Sequence, residues 1–213
     1  MPRLFLYLVF MKKILILFAH PRYEISRANR ALLEPLHDLE QVTIHDLYEQ
    51  YPSFNINSAR EQQLLLAHQI IVWQFPFYMY SAPSMIKQWI DLVLEHGWAH
   101  GAGTRALENR TIFATVTTGG SRESYAPDGF NRHTMGEFLV PFQQTALLCG
   151  MHYLPPFLVQ GTYRLTDPQL ARFVDQYRDL LIRLSQAPPT PGELSGMERL
   201  YDLSAPLPPT PHD

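Results

Sequence analysis

Continuous apolar runs alternate with helical stripes along the chain, and this alternation predicts parallel strands joined by helices. An uninterrupted apolar run, typical of a strand buried on both faces, occurs at 14–19, and further strands are predicted at 69–75 and 111–117. Residues 42–47 alternate between apolar and polar, which predicts a less buried strand. A last strand is expected at 152–159, where Pro155 and Pro156 restrict it to a sheet edge or a short piece.

Apolar residues that recur every three or four positions separate these strands. They predict helices at 27–39, 59–67, 84–95, 131–149 with a break near Pro141, and 168–185. Ser26 suits the N-cap of the first helix, and Pro35 is expected to kink or end it. Five strand–helix units favour an α/β fold: a flavodoxin-like three-layer sandwich, with a five-stranded parallel sheet and helices on both faces.

The ends of the chain differ from its middle. Residues 1–10 form a short apolar run, too short to cross a bilayer, and we expect an N-terminal extension that is not part of the fold. The domain is expected at 11–186. Residues 187–213 are rich in proline, which predicts a disordered tail.

Composition narrows the functional classes. The 213 residues carry a net charge of −3, with 46% hydrophobic and 17% charged residues, so the chain is an ordinary globular protein without the positive field that recruits nucleic acid. The single Cys149 excludes an intrachain disulfide and a cysteine-rich metal site and fits a reducing compartment. His96 and His100 lack a carboxylate that would complete a metal site, so no metal is expected.

The stretch 73–94 joins a buried strand to a helix through an aromatic loop, Phe-Tyr-Met-Tyr at 77–80. Ligands of open α/β sheets bind where strands end and the next loops begin, so this loop suits a flat, conjugated ligand. Packing in the core is the alternative explanation, because aromatic side chains bury large apolar areas.

Two more loops follow strand ends. The loop at 20–26 leads into a helix whose N-terminal N–H groups could bind a phosphate, with Ser26 and Asn29 as added donors; the alternative is that Ser26 only caps the helix. The sequence Thr-Thr-Gly-Gly at 117–120 lets the backbone approach a ligand closely, or forms a simple turn. Tyr125 and His133 are candidate proton donors that could equally be structural.

These loops, in this order, resemble those of the flavodoxin-like NAD(P)H:quinone oxidoreductases. The residues that carry the resemblance are 18–21 with 26–29, 74–76 with 81–83 and 87–89, and 117–120. The chain is most similar to the ancillary proteins of bacterial glutathione-gated potassium-efflux systems, which also match at 42–48, 51–56, 96–99 and 154–156.

The resemblance implies a flavin site, with FMN expected in preference to FAD. The residues implied at the phosphate and ribityl end are His20, Ser26, Arg27, Ala28 and Asn29. Those implied beside the isoalloxazine are Phe77, Tyr78, Met79 and Tyr80 on one side and Thr117, Thr118, Gly119 and Gly120 at the other edge. Tyr125 matches a catalytic tyrosine of the family, whereas the matching histidine is Asn131 here and His133 is displaced by two residues. Many relatives have Gln-Trp where this chain has Tyr78 and Met79.

The implied activity is a two-electron, ping-pong NAD(P)H dehydrogenase (quinone), with hydride passing from NAD(P)H to the flavin and two electrons then passing to a quinone. The implied partners are a second copy in a homodimer and a membrane potassium-efflux antiporter, which places the protein in the cytoplasm or on the cytoplasmic face of the inner membrane. The alternative is a regulatory subunit that activates a K⁺/H⁺ antiporter without catalysis, with flavin optional. The same site would also permit an azoreductase or a flavin reductase.

Overall fold

A parallel sheet forms the centre of the molecule. The computed structural model describes residues 11–103, 105–187, 189, 191–194 and 197–200, so the extension expected at 1–10 lies outside the described residues. The strands are β1 Ile14–Phe18, β2 Val42–Asp46, β3 Ile70–Pro76, β4 Thr111–Thr118, β5 His152–Tyr153 and β6 Phe157–Gln160.

The strand order is β2-β1-β3-β4-β5, all parallel, with β6 also paired to β4. Every residue of β1, β3 and β4 is buried, as the continuous apolar run predicts for β1, and the half-buried β2 lies at one edge. The predicted flavodoxin-like order is therefore confirmed. The predicted fifth strand is split in two, because Pro155 and Pro156 interrupt the backbone pairing between β5 and β6.

Eight helices in the described chain connect or cover the strands. They are α1 Arg27–Leu33, α2 Leu47–Gln50, α3 Ser58–Leu66, α4 Ser84–Val93, α5 Met135–Phe138, α6 Val140–Leu148, α7 Asp167–Gln186 and α8 Pro191–Leu194. Pro35 ends α1 as predicted, in a 3₁₀ turn at Glu34–Leu36. α2 follows β2 directly and was not predicted from the sequence; Asp46 accepts hydrogen bonds from two N–H groups and caps it. The helix expected at 131–149 begins only at Met135 and breaks at Leu139.

Each face of the sheet carries its own hydrophobic core. Alternate residues of β1 enter the two cores: Leu15 and Leu17 pack with α3, α4 and α6, whereas Ile14, Ile16 and Phe18 pack with α1 and α7. The fold is thus the three-layer sandwich that the sequence predicts.

A buried carboxylate lies among apolar residues on the α3–α4 face. Glu61 is fully buried and accepts hydrogen bonds from His45 Nε2 (3.0 Å to Oε1), from the Tyr51 hydroxyl and from Trp89 Nε1 (2.8 Å to Oε2). Burial by itself would raise the pKa of Glu61, but these three donors outweigh it and leave the pKa lowered. We call these four residues the Glu61 cluster.

The described part of the proline-rich tail packs against the domain. Leu200 is buried in the α1–α7 core, Leu194 packs against the same core, and Glu193 of α8 pairs with Arg183 of α7. The Leu200 N–H donates to Pro156 O (3.1 Å). Leu194 and Leu200 thus lie beyond the expected boundary at 187 and pack against the core, while the domain bounds stay a prediction; residues 201–213 lie outside the described residues. Within the described chain, no helix combines the length and apolar character that a membrane span needs.

Candidate functional site

Three loops meet at the carboxyl ends of the central strands. The first loop (19–26) follows β1, the aromatic loop (77–83) follows β3, and the glycine loop (119–125) follows β4. The register aligns Phe18 with Gln74 and Pro76 with Thr117, so the three strands end close to one level. Side chains from all three loops can therefore reach one ligand.

A buried network of uncharged groups ties these strand ends together. Asn29 Nδ2 donates to Thr117 Oγ1 (3.0 Å) and Ser26 Oγ (3.2 Å), and its Oδ1 accepts from Gln74 Nε2 (3.4 Å). Gln74 Oε1 in turn accepts from the Tyr177 hydroxyl (2.9 Å). These five residues, the Asn29 network, fix the start of α1 against β3, β4 and α7.

The start of α1 offers backbone donors. Ser26 Oγ accepts the Asn29 N–H (3.3 Å), which leaves the N–H groups of Arg27 and Ala28 without an acceptor inside the helix. Such N–H groups attract anions. The Arg27 side chain is directed elsewhere: its guanidinium donates to Leu165 O (2.7 Å) and pairs with Asp167. Arg27 thus offers the site its backbone N–H.

His20 adds a neutral donor beside this helix start. Its Nδ1 accepts the Arg22 N–H (3.1 Å), which assigns the ring proton to Nε2, and Nε2 lies 3.4 Å from the Tyr78 hydroxyl. Burial lowers the pKa of His20, and the nearby Glu24 opposes this only in part. A neutral imidazole therefore links the first loop to the aromatic loop.

The aromatic loop ends in a tight turn. Tyr78 and Ser81 exchange two backbone hydrogen bonds (2.9 and 3.0 Å), and both Met79 (φ 46°) and Tyr80 (φ 65°) are left-handed, as in a type I′ turn. Met79 points into solvent with 89% of its surface exposed, whereas Phe77 is buried. The side chains that the loop presents to the neighbouring loops are therefore the half-exposed tyrosines and not the methionine.

A group of aromatic rings packs against this loop from α5. Phe138 of α5 stacks on Tyr80 (5.4 Å between centroids) and packs edge-on against Phe77 (5.5 Å) and Tyr125 (6.1 Å). The rings of Phe77 and Tyr125 lie 5.9 Å apart. Core packing and ligand contact are therefore divided within the loop: Phe77 packs inward, and the exposed edges of Tyr78 and Tyr80 are available to a ligand.

The glycine loop brings Tyr125 to the site. The Tyr125 and Thr118 hydroxyls are hydrogen-bonded (2.8 Å), and Thr118 Oγ1 also accepts the Gly120 N–H (3.3 Å). A Cβ at Gly120 would lie 2.8 Å from the Tyr125 ring, so the absence of a side chain permits this ring position. Tyr125 is thus a hydroxyl donor held at the ligand edge.

His133 is placed differently. Its Nδ1 faces Glu137 Oε1 (3.6 Å), and its ring packs against Phe138 (5.7 Å). Phe138 contacts the rings of both His133 and Tyr125. The catalytic role of His133 stays a prediction.

A cleft of about 360 Å³ opens on the other side of Tyr125. Met135, Tyr153, Pro156 and Arg199 are among its lining residues. The Tyr153 hydroxyl is completely buried and has no hydrogen-bond partner among the described residues. Because the hydroxyl is out of reach of solvent, a molecule in the cleft would meet the Tyr153 ring and not the hydroxyl.

Four residues of the site carry no prediction from the sequence: Gln74, Phe138, Tyr163 and Tyr177. Gln74 had a signal, because it is the polar residue inside a buried apolar strand. Tyr163 follows the end of the last strand, a position that also indicates ligand contact. Phe138 and Tyr177 belong to apolar helical stripes, where nothing distinguishes them from core residues.

The groups at this edge fit a phosphate-bearing planar ligand such as FMN. The helix start and His20 supply neutral and dipolar donors for a phosphate, and the aromatic loop supplies exposed ring edges. The glycines of the third loop carry no side chains, so the rings of Tyr125 and Tyr163 lie directly against their backbone.

Comparisons with known proteins agree with this geometry. A family model described as Flavodoxin-like fold matches residues 12–181. The glutathione-regulated potassium-efflux system ancillary protein KefG of Pectobacterium carotovorum is 46% identical over 169 residues, covering 79% of this chain and 92% of the relative.

Solved structures share the fold. General stress protein 14 of Treponema denticola, in complex with FMN, is 35% identical with a TM-score of 0.77, covering 81% of this chain and 99% of that one. An NADPH-quinone reductase from P. pentosaceus is 28% identical with a TM-score of 0.73, covering 84% and 99%. A chain described as a thermophilic tryptophan halogenase from Streptomycin violaceusniger is 39% identical with a TM-score of 0.76, covering 78% and 96%. The descriptions name more than one activity, so function has to be argued from the site.

Proposed function

The chain belongs to the family of proteins with the Flavodoxin-like fold, and from that premise we propose that it is an FMN-dependent NAD(P)H:quinone oxidoreductase that serves as an ancillary protein of a glutathione-regulated potassium-efflux system. Three similarities support the proposal: the relative from Pectobacterium carries the ancillary role in its name, the Treponema protein binds FMN, and the protein from P. pentosaceus is a quinone reductase.

The observation that carries the proposal is the direct linkage of the three loops. Asn29 reaches Thr117 across 88 residues of sequence, and Tyr78 reaches His20 across 58. These contacts bring phosphate donors, exposed tyrosine edges and the glycine backbone to one edge of the sheet. A flavin needs this combination, because its phosphate and its planar ring bind to different kinds of group.

Bound FMN would supply two-electron hydride chemistry between NAD(P)H and a quinone. The N–H groups of Arg27 and Ala28, with His20 Nε2, would hold the phosphate and ribityl end. The backbone of the glycine loop would approach the edge of the ring. Tyr125, paired with Thr118, would hold a proton near the oxygen of the quinone.

The test is to purify the full chain, record the visible flavin absorbance and titrate the colourless protein with FMN. NADPH and NADH oxidation with menadione as acceptor then measures turnover. We expect saturable FMN binding and quinone-dependent oxidation. A protein that takes up no FMN contradicts the proposed enzyme activity.

A second candidate is a regulatory subunit that activates a K⁺/H⁺ antiporter without catalysis. The exposed Met79 favours it, because this side chain offers no large ring to a flavin. Tyr78→Ala and Met79→Trp separate the two candidates. If FMN affinity falls with Tyr78→Ala and rises with Met79→Trp, the aromatic loop is a flavin wall. If neither changes affinity while flavin-free protein still binds antiporter-containing membranes, the regulatory function is favoured.

Homodimer formation is part of the proposal. Met79 and Tyr80 of the aromatic loop are exposed, and α6, which begins two residues after Phe138, exposes Val140, Leu147 and Leu148. We assign the proposed dimer interface to these side chains, because exposed apolar surface marks sites of protein–protein contact. Sedimentation of the protein and of a Leu147→Glu, Leu148→Glu variant tests it, and a monomer–dimer difference between the two supports the surface. A wild-type monomer contradicts it.

A further inference from the structure

The turn that follows β6 reaches the same ligand edge, and it is held rigidly. Three hydrogen bonds fix residues 161–165: Gly161 N–H to Gly120 O (2.8 Å), Thr162 N–H to Thr118 O (3.1 Å) and Arg27 Nη1 to Leu165 O (2.7 Å). The first two join the turn to the glycine loop, and the third joins it to α1. The turn is therefore a fourth loop of the site.

Tyr163 lies at the tip of this turn with its ring against Gly119. A Cβ on Gly119 would lie 2.3 Å from Tyr163 Cε2 and 2.7 Å from Cδ2. The tyrosine nevertheless has 90% of its surface exposed. One part of the ring thus rests on the glycine backbone while most of the ring faces solvent, on a backbone that hydrogen bonds hold in place.

Tyr78 of the aromatic loop lies near Tyr163. Burial raises the pKa of Tyr78, and the Tyr163 phenol raises the pKa further. Tyr78 also contacts His20 of the first loop. The two tyrosines therefore border the ligand edge from different loops.

We propose that Tyr163 is a binding residue of the flavin site. Its ring forms a wall of the site beside the glycine loop and contacts the planar ring of bound FMN. The inference rests on the proposed function, because it adds a wall to the same site. Gly119 is small so that the Tyr163 ring can lie close to the backbone that the flavin approaches.

The experiment measures FMN affinity and dissociation rate for the full chain and for Tyr163→Ala and Tyr163→Phe. A ring contact of this kind corresponds to a loss of roughly three- to tenfold in affinity for Tyr163→Ala, with faster dissociation. Tyr163→Phe keeps the ring and retains the wild-type affinity. Phe130→Ala, which removes an aromatic residue with 87% exposure, is the matched control and leaves affinity unchanged.

Gly119→Ala gives an independent check. The φ of Gly119 is outside the left-handed region, so the added methyl conflicts with the flexible Tyr163 ring and not with the backbone conformation. We expect Gly119→Ala to weaken FMN binding as much as Tyr163→Ala, and the double variant to be no weaker than either. Losses that add in the double variant would mean that the methyl acts on the ligand itself, and this result overturns the inference.

The failures of the two proposals are distinguishable. Unchanged FMN affinity in Tyr163→Ala, with wild-type protein binding FMN, overturns the wall and leaves the oxidoreductase proposal intact. A wild-type protein that binds no FMN overturns both. A fall in thermal stability of Tyr163→Ala without a change in affinity also contradicts a binding role.

Discussion

The Glu61 cluster and the Asn29 network are both buried polar groups, but only one of them is charged. Glu61 lies on the α3–α4 face, where His45, Tyr51 and Trp89 satisfy its carboxylate. Asn29 lies on the α1–α7 face at the ligand edge, and its partners are hydroxyls and an amide. The chain thus buries its carboxylate away from the edge where a phosphate is proposed to bind.

The difference follows from what each network has to do. A buried carboxylate costs several kcal/mol unless donors surround it, and the Glu61 cluster meets that need by joining β2, α3 and α4. At the ligand edge a fixed negative charge would repel a phosphate, whereas amides and hydroxyls can fix the same loops without charge. The charged network thus joins elements away from the ligand edge, and the uncharged network positions the start of α1 at that edge.

The largest expected effect comes from breaking the charged network. Glu61→Ala leaves Trp89 Nε1, the Tyr51 hydroxyl and His45 Nε2 buried without their acceptor, so we expect a loss of about 3–5 kcal/mol in the free energy of unfolding. Urea denaturation measures it. Glu40→Ala, at an exposed position, should stay within about 0.5 kcal/mol of wild type. A Glu61→Ala loss as small as that of the control would mean that the cluster contributes nothing net.

Placing a carboxylate in the neutral network should weaken ligand binding and, because Asn29 is buried and donates to Thr117 and Ser26, should also lower stability. Asn29→Asp keeps the shape of the side chain but puts a carboxylate beside the proposed phosphate position, so FMN affinity should fall roughly ten- to a hundredfold, about 1.4–2.8 kcal/mol. Equilibrium titration measures it. The control is Asn109→Asp. Asn109 precedes β4 and so lies at the amino ends of the strands, far from the ligand edge at their carboxyl ends. Equal losses in both variants would contradict the proposed phosphate position.

The two networks should also differ in their response to acid. Because the pKa of Glu61 is lowered in the fold, its contribution to stability is present above the unfolded pKa of about 4.3 and is lost as pH falls through the folded value. The double variant His45→Leu, Glu61→Gln removes the Glu61 carboxylate together with its His45 partner and should show a flatter loss of stability in acid. Asn29→Ala should keep the wild-type slope with a constant offset. Unfolding free energies from pH 7 to 3 test this, and identical slopes in all three proteins would refute it.

The smallest effect is expected at the border of the neutral network. Arg27→Gln removes the exposed pair with Asp167 and the hydrogen bond to Leu165 O, so stability should fall by less than about 1 kcal/mol. Since the guanidinium holds the 161–165 turn and not the phosphate, the salt dependence of FMN binding should change little. A clearly reduced salt dependence in the variant would show that the guanidinium acts on the phosphate after all.

The sequence predicts the sheet because its information is local. The apolar runs of β1, β3 and β4 and the helix-breaking Pro35 act within their own segments, and the structure confirms them. α2 was missed, since four residues give no periodicity and only the cap at Asp46 reveals it. Residues 131–134, predicted helical, are not, because the helix is capped later by a Thr134–Glu137 capping box.

The site was predictable as a set of loops but not as a set of contacts. Strand ends and loop composition locate the three loops, whereas the direction of the Arg27 side chain depends on α7, more than a hundred residues away. The burial of Leu200 likewise depends on a core made by other segments, and a proline-rich composition conceals it. Residue type predicts which groups a segment offers, and tertiary packing decides which of them reach a ligand.

The broken strand between β5 and β6 has a consequence for how the molecule behaves at high concentration. An uninterrupted edge strand presents a row of free N–H and C=O groups on which another chain can pair, the first step of amyloid-like aggregation. Here the strand is divided into a two-residue piece, β5, and a four-residue piece, β6. Pro155 and Pro156 have no N–H group, and the Pro156 carbonyl already accepts a hydrogen bond from the Leu200 N–H. This edge of the sheet is therefore protected against backbone pairing with another chain.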